Sequence, residues 1–468
     1  MQAPAAKGVA TDESSMIKRS SMKSVADEFR SADLGDARRT ARLVRLADQL
    51  AEKADASFPA VLDEGQLEGA YRFFSNEAVS LEAILAPHVQ AAWGRTADGV
   101  VALALHDTTT MSFRAFGQRE GIVPSSRGTQ QFLVHTTLAV RGDETRRPHG
   151  ILAIRTHQLE QNSQVHDRWR NQIDAVAAHA QAHRNVIHVM DREADDYELL
   201  AALSGPGHRF IIRAHHDRVL RDHGTLRQAI GTVAVADHRE VALSTRGRGR
   251  LNSKQRQIHP QRDARTTTRA FAARELMIPR TASAPTDTPS SLRLNVVRVW
   301  EPSPPDGEKP IEWILFTSEP VMTPAEICQV VDWYRSRWVI EEYFKALKTG
   351  CAYEKRQLET FHALRNALAL FVPMAWQLLL LRTEARHRPE SPAAVVLSDE
   401  QITVLGAVVK KPLPPNPTAR HVMLAVAALG GHLPRNGDPG WLILARGLEK
   451  LETLTLGWRL AREVASEI

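Results

Sequence analysis

Three acidic side chains offer this chain the most chemistry. Asp107 follows the apolar run Val100–Leu105 (VVALAL) and His106, and Asp191 follows a second run, NVIHVM, at 185–190. Each run reads as a buried strand delivering a carboxylate at its tip, where catalytic groups gather in open α/β sheets. Glu341 lies in VDWYRSRWVIEEYFKALKTG (Val331–Gly350), which has no proline and no glycine before Gly350. That stretch reads as one helix stopped by a left-handed cap at Gly350. At about 100° per residue, Tyr334, Arg337, Glu341 and Lys348 share an arc of roughly 60°. Trp333, Ile340, Phe344 and Leu347 form the adjoining apolar stripe. Three converging carboxylates need a compensating cation, and oxygen-only ligation selects hard ions such as Mg²⁺ or Mn²⁺. Two such ions, about 3.5–4 Å apart, activate a water or 3′-hydroxyl and stabilise the leaving oxygen of a phosphodiester. Arg337 and Lys348 would then hold the flanking phosphates. The plain alternatives are a solvated, salt-bridged helix face and, for Asp191, a helix N-cap.

The elements that must position these residues follow from pattern. At 468 residues the chain exceeds one compact core, and its 43% hydrophobic content is ordinary for a globular protein. Residues 1–20 are small and polar and read as a disordered tail. A helical module follows over 21–90, with a break at Gly35–Asp36 and with Arg38, Arg39, Arg42 and Arg45 beside Leu43, Leu46 and Leu50. It reads either as a phosphate-positioning surface or as a solvated basic face. From 91 to 385 the pattern is α/β: further strands at Phe132–Val140, Ile151–Thr156, Phe210–Arg213, Leu292–Trp300 and Trp313–Thr317, with a helix near 164–182 and another directly after Asp191. Within it, 216–291 reads as an inserted β-rich subdomain with a basic loop, Arg246 to Arg274 containing a single acid, Asp263. Phe361–Arg382 is an apolar core helix, interrupted by Pro373 and Gln377 and so not a membrane span. From 386 to 468 come a proline-rich linker, a helix at His421–Leu429 and a last helix from Trp441. The near-heptad Leu444, Leu448, Leu451 and Trp458 of that last helix serve either the monomer's core or a dimer seam.

Charge and cysteine usage narrow the classes. Two cysteines, Cys328 and Cys351, make neither a disulfide framework nor a metal knuckle, which fits a reducing cytoplasm. A net charge of +6 and a pI near 9.4 point to a polyanionic partner.

The spacing of Tyr334, Arg337, Glu341 and Lys348, with two, three and six residues between them, resembles the Y-R-E-K signature of bacterial cut-and-paste DDE transposases of the insertion-sequence-four type. HVMDREADDYELL is similar to the second-aspartate motif of that group, and LALHDTTTMSF to the first. LGDARRTARLVRLADQLA, EGAYRFFSN, WILFTSEP and GWLILARGLEKLETL are similar to segments of the transposon-five branch. The resemblance implies an RNase H-like mixed-sheet core carrying the β-rich insertion, a helical N-terminal domain that reads DNA ends, and a helical C-terminal dimerisation domain. It implies that Asp107, Asp191 and Glu341 hold two Mg²⁺ or Mn²⁺ ions, and that Tyr334, Arg337 and Lys348 contact phosphates. Arg213, Trp313 (stacking on a flipped-out base) and Arg72 are implied DNA contacts. Taken bare, Trp313 in a strand is core. The activity implied is nicking, hairpin formation and strand transfer by a homodimer on double-stranded DNA, with no membrane involved. The alternative is an inactive, transposase-derived DNA-binding protein or inhibitor.

Overall fold

The computed structural model describes residues 24–466 apart from 52, 54, 98, 115–116, 125–127, 160–164, 181–184, 222, 244, 246–260 and 309. The expected tail and the basic positions from Arg246 to Arg256 therefore lie outside the described residues. Three helices open the chain: α1 (Ala37–Ala51), α2 (Glu64–Phe74) and α3 (Leu81–Arg95). Gly35 supplies the left-handed turn (φ 70°) before α1, where the break was expected. Asp63 and Gln66 close a capping box on α2, worth about 1 kcal/mol, and Ser80 caps α3. Leu43, Leu46 and Leu50 are buried, so the arginines of α1 occupy the remaining faces.

Strands β1 (Ala102–Phe113), β2 (Gln130–Arg141) and β3 (Pro148–Gln158) pair antiparallel. Helix α4 (Val165–Ala180) leads to β4 (Val186–Met190), which lies parallel to β1. Then come α5 (Tyr197–Ser204) and β5 (Arg209–Arg213), parallel to β4. A small ribbon of β6 (Val219–Leu220) and β7 (Gly224–Thr225), with the short α6 (Leu226–Gly231), precedes β8 (Asp237–Leu243), β9 (Arg265–Pro279), β10 (Ser291–Trp300) and β11 (Glu312–Thr317). The main sheet has nine strands in the order β3-β2-β1-β4-β5-β11-β10-β9-β8. Three antiparallel strands followed by two parallel ones give the mixed, RNase H-like core. The segment 216–291 is β-rich as expected, and β8 and β9 extend the same sheet through β10 and β11.

The catalytic-ridge candidate also differs from a single helix. It consists of α7 (Pro324–Ser336) and α8 (Trp338–Lys345), meeting at Arg337, and a wider π-turn over Ala346–Gly350. The hydrogen-bond ladder tightens at the join, Arg337 N–H donating to the Tyr334 carbonyl (3.0 Å) and Ile340 N–H to that of Arg337 (3.2 Å). Gly350 is not left-handed; that conformation falls at Ala352 (φ 48°). Gly350 instead packs closely on the core: a Cβ there would lie 2.9 Å from the tip of one side chain, Leu378 Cδ1.

Helix α9 (Phe361–His387) runs through the core and contacts α2, α3, β3 and α8. By length and composition it is apolar enough to cross a membrane, yet its apolar stretch is almost wholly buried inside this fold. Each Leu or Phe so buried contributes about 1.5–3 kcal/mol. The linker region contains a helix not foreseen, α10 (Asp399–Val408), started by a Ser398/Gln401 capping box. Helices α11 (Ala419–Leu429) and α12 (Trp441–Ser466) close the chain. In α12 Leu444 and Leu451 are buried in this chain's own core, whereas Leu454, Leu460 and Val464 are exposed.

Candidate active site

Strand periodicity and register bring the two aspartates together. Leu103 and Leu105 point into the α9 side of the core, so Asp107, two residues on, faces the same side; His106 faces α4. Asp107 is not at a strand tip as expected. It sits mid-strand, because β1 continues to Phe113 along β2. It does lie just past the last residue that pairs with β4. The offset pairing Ala102 with Val186 and Leu105 with Val189 sets Asp107 level with Asp191, one residue beyond β4. Asp191 also caps a one-turn 3₁₀ helix, Arg192–Ala194, accepting Glu193 N–H at 2.8 Å, so both settings weighed for it occur together.

Arg337 joins the third carboxylate to the first. Its Nη1 donates to Asp107 Oδ2 at 2.9 Å and its Nη2 to Glu341 Oε1 at 2.8 Å. Burial pushes the Asp107 carboxyl up to about 6; Arg337 opposes this, and Asp191 and Glu341 reinforce it. Burial works against the Arg337 charge, but Asp107, Tyr334 and Glu341 outweigh it and hold the guanidinium above its usual range. The three carboxylates thus feel one another around a single cation.

The flanking groups complete a row along α7–α8. The buried Tyr334 phenol is raised by burial, against the pull of Arg337 and Arg213. The Trp313 ring packs edge-on against Tyr334 at 5.4 Å, and Arg213 Cζ lies 5.8 Å from the Trp313 centroid. Lys348 Nζ donates to the Thr110 carbonyl at 2.6 Å and lies 3.7 Å from Glu354 Oε1; burial lowers its ammonium. Arg213, Trp313, Tyr334 and Arg337 therefore form one connected set with the acids, while Lys348 reaches β1 three residues beyond Asp107.

The N-terminal arginines do not join them. Arg38 pairs with Asp36 at 3.0 Å, Arg39 donates to the Leu34 carbonyl at 3.0 Å, and Arg72 pairs with Glu68. Arg42 crosses the α1–α2 seam against Gly69, where a Cβ would lie 2.6 Å from its Nη1.

Some neighbours were not read from sequence. Glu354 accepts Ser112 N–H at 2.9 Å and faces Lys348; no motif flagged it. Trp338, 56% exposed beside Arg337, has Lys345 Nζ 5.5 Å from its ring centroid, and its signal was an aromatic off the apolar stripe. Asp195, the second aspartate of the D-R-E-A-D stretch, turns inward and away from the acids.

The donor set fits a hard divalent cation in both charge and atom type. Among the described residues no three acids, histidines or cysteines are assembled as a finished cage. Arg337 supplies the positive charge the crowding calls for, and Glu341 would exchange that partner for a metal.

Residues 21–79 match the family described as transposase DNA-binding, and residues 105–374 the transposase DDE domain. A cryo-EM structure of the piggyBac transposase synaptic complex with hairpin DNA is similar at 7% identity and a TM-score of 0.38, over 79% of this chain and 75% of that one. So slight a likeness adds nothing to the family match. The DDE match alone spans more than half of the sequence and contains all three carboxylates. By that match, the chain belongs to the DDE transposase family.

Proposed function

We propose that this DNA transposase is a cut-and-paste enzyme of the insertion-sequence-four type, working as a homodimer on paired element ends in the bacterial cytoplasm. The helical module up to about residue 90 reads the end sequence, and the sheet carries out cleavage, hairpin formation and strand transfer. Residues 386–468 form the C-terminal dimerisation region. The observation that supports this best is the convergence of Asp107, Asp191 and Glu341 around Arg337 from three distant parts of the chain. Asp107, Asp191 and Glu341 would hold magnesium or manganese, which when bound supplies Lewis-acid activation of the attacking oxygen and neutralises the leaving one.

The chain's own groups do the remaining work. Arg337, freed from Glu341, offers a bidentate fork to a phosphate. Lys348 gives a point charge on the β1 side, and Tyr334 a hydroxyl between Arg213 and Arg337. Trp313 presents a ring held by Tyr334 beside Arg213. The test is a Mg²⁺-dependent nicking and hairpin assay on duplexes carrying the inverted repeats that flank the coding region. Binding without any cleavage by folded protein would refute the enzymatic reading.

A further inference from the structure

The stretch Asp191–Asp196 carries three aspartates with three different surroundings. Asp191 faces Asp107, and Asp196 caps α5 by accepting Glu198 N–H at 2.9 Å. Asp195, between them, is buried and points at the chain leaving β5. Its Oδ2 accepts the backbone N–H of His215 (2.5 Å) and of His216 (2.9 Å), and its Oδ1 accepts Arg218 Nη1 (2.5 Å). Arg218 returns a second bond to the Asp195 carbonyl at 3.3 Å and lies over the Phe316 ring. Both side chains are almost fully enclosed, at 5% and 0% exposure. The segment tied in this way begins two residues after Arg213, whose guanidinium lies over the Trp313 ring, which in turn packs on Tyr334.

We infer that Asp195 and Arg218 are a positioning pair, which fixes the turn carrying Asp191 against the arch that follows Arg213. The inference rests on the catalytic assignment proposed above. One end of a short turn bears a metal-facing carboxylate, and its other end anchors the strand exit that aims a phosphate-facing arginine. The spacing between the acid and cation sides of the site then depends on this buried pair. A carboxylate is required because every neighbour is a donor. An Asn amide would keep an acceptor for the backbone N–H groups but turn its own NH₂ toward Arg218, leaving a buried guanidinium facing another donor.

The test uses the full chain and the variants D195N, R218M, D195N/R218M and R218K. Hydrogen exchange reports the His215 and His216 amides. Single-turnover nicking and Kd are measured on a duplex carrying the element's end. D195N is expected to speed exchange of both amides by about tenfold or more, and to lower nicking by about 10–100-fold with Kd within about threefold. The double variant should be no worse than the poorer single one, and R218K, which keeps a donor, should stay within about threefold of wild type. Y197F serves as a control: it removes the α5 bond to the Pro289 carbonyl and should lower stability without slowing nicking per folded molecule. Unchanged exchange in D195N, faster exchange with unchanged nicking, or effects of the two singles that simply multiply would overturn the pairing. If the wild type cuts no DNA, the proposed function fails by itself. Mn²⁺ binding to the protein then decides here, a roughly tenfold loss in D195N supporting the coupling and no loss overturning it.

Discussion

Two of the clusters of arginine and carboxylate among the described residues differ in their charge balance. At the candidate active site one guanidinium serves two carboxylates with a third nearby, and the Asp107 carboxyl rises to about 6. On the far strands of the same sheet one carboxylate, Glu301, is surrounded by donors: Arg265, Arg269 (3.3 Å) and Thr267 (2.7 Å). Burial alone would raise Glu301, but those partners bring it down to about 2. The first cluster carries an excess of negative charge that a divalent ion would relieve; the second is closed and serves as a brace between β9 and the end of β10. The same side chains make a site or a strut according to whether their charges are left unbalanced or are matched, as Arg265 and Arg269 are by Glu301 and Glu308.

The largest effect should come from the acids themselves. Asp107→Asn, Asp191→Asn and Glu341→Gln are each expected to cut nicking by about 10³-fold or more while leaving end binding largely intact. Loss of binding together with cleavage would count against the metal assignment. Glu301→Gln should leave cleavage per folded molecule within about twofold but destabilise the fold by about 3 kcal/mol, because the buried Arg269 guanidinium loses its carboxylate while Arg265 keeps Glu308. Denaturant melts would show this, and normal stability would sink the brace. In the wild type this contribution is complete above pH 4.5, the ordinary Glu value, and is lost as pH falls toward the folded value of about 2.

Asp107 should show the reverse dependence. Its folded carboxyl lies above the ordinary 3.8, so its contribution to stability is present below that pH and is lost as pH rises through about 6. Asp107→Asn should therefore raise Tm near pH 8 and not near pH 4, in metal-free buffer. Equal shifts at both would break the contrast. The smallest effect concerns phosphate contacts. Arg42→Ala, on a helix without an acidic partner for that side chain among the described residues, should reduce the salt slope of DNA binding by about one unit. Arg269→Ala should leave the slope unchanged, since Glu301 already occupies that charge.

Much of the site was legible because local pattern and long-range placement agreed. The Y-R-E-K spacing put Tyr334, Arg337 and Glu341 near one another despite the join at Arg337, and the runs before Asp107 and Asp191 read as the two buried strands that the fold sets side by side. The continuation of β1 past Asp107 was masked by three threonines, polar in composition but β-branched and suited to a strand. Pairing of β8 and β9 into the main sheet was not legible, since register between strands distant in sequence leaves no local trace. Basic composition over Arg265–Arg274 misled for a related reason: the acids that neutralise Arg265 and Arg269, Glu301 and Glu308, lie some thirty residues or more downstream. The join at Arg337 was hidden because no proline or glycine marks it.

The mid-strand position of Asp107 has a mechanical result. Zipped to β2 across its whole neighbourhood, that residue cannot slide or tilt without tearing a ladder, so it is the stationary jaw of the vice. On the proposed reading, the jaw left free to tighten on an incoming duplex is the short rod bearing Glu341, joined to its neighbour only where α7 meets α8.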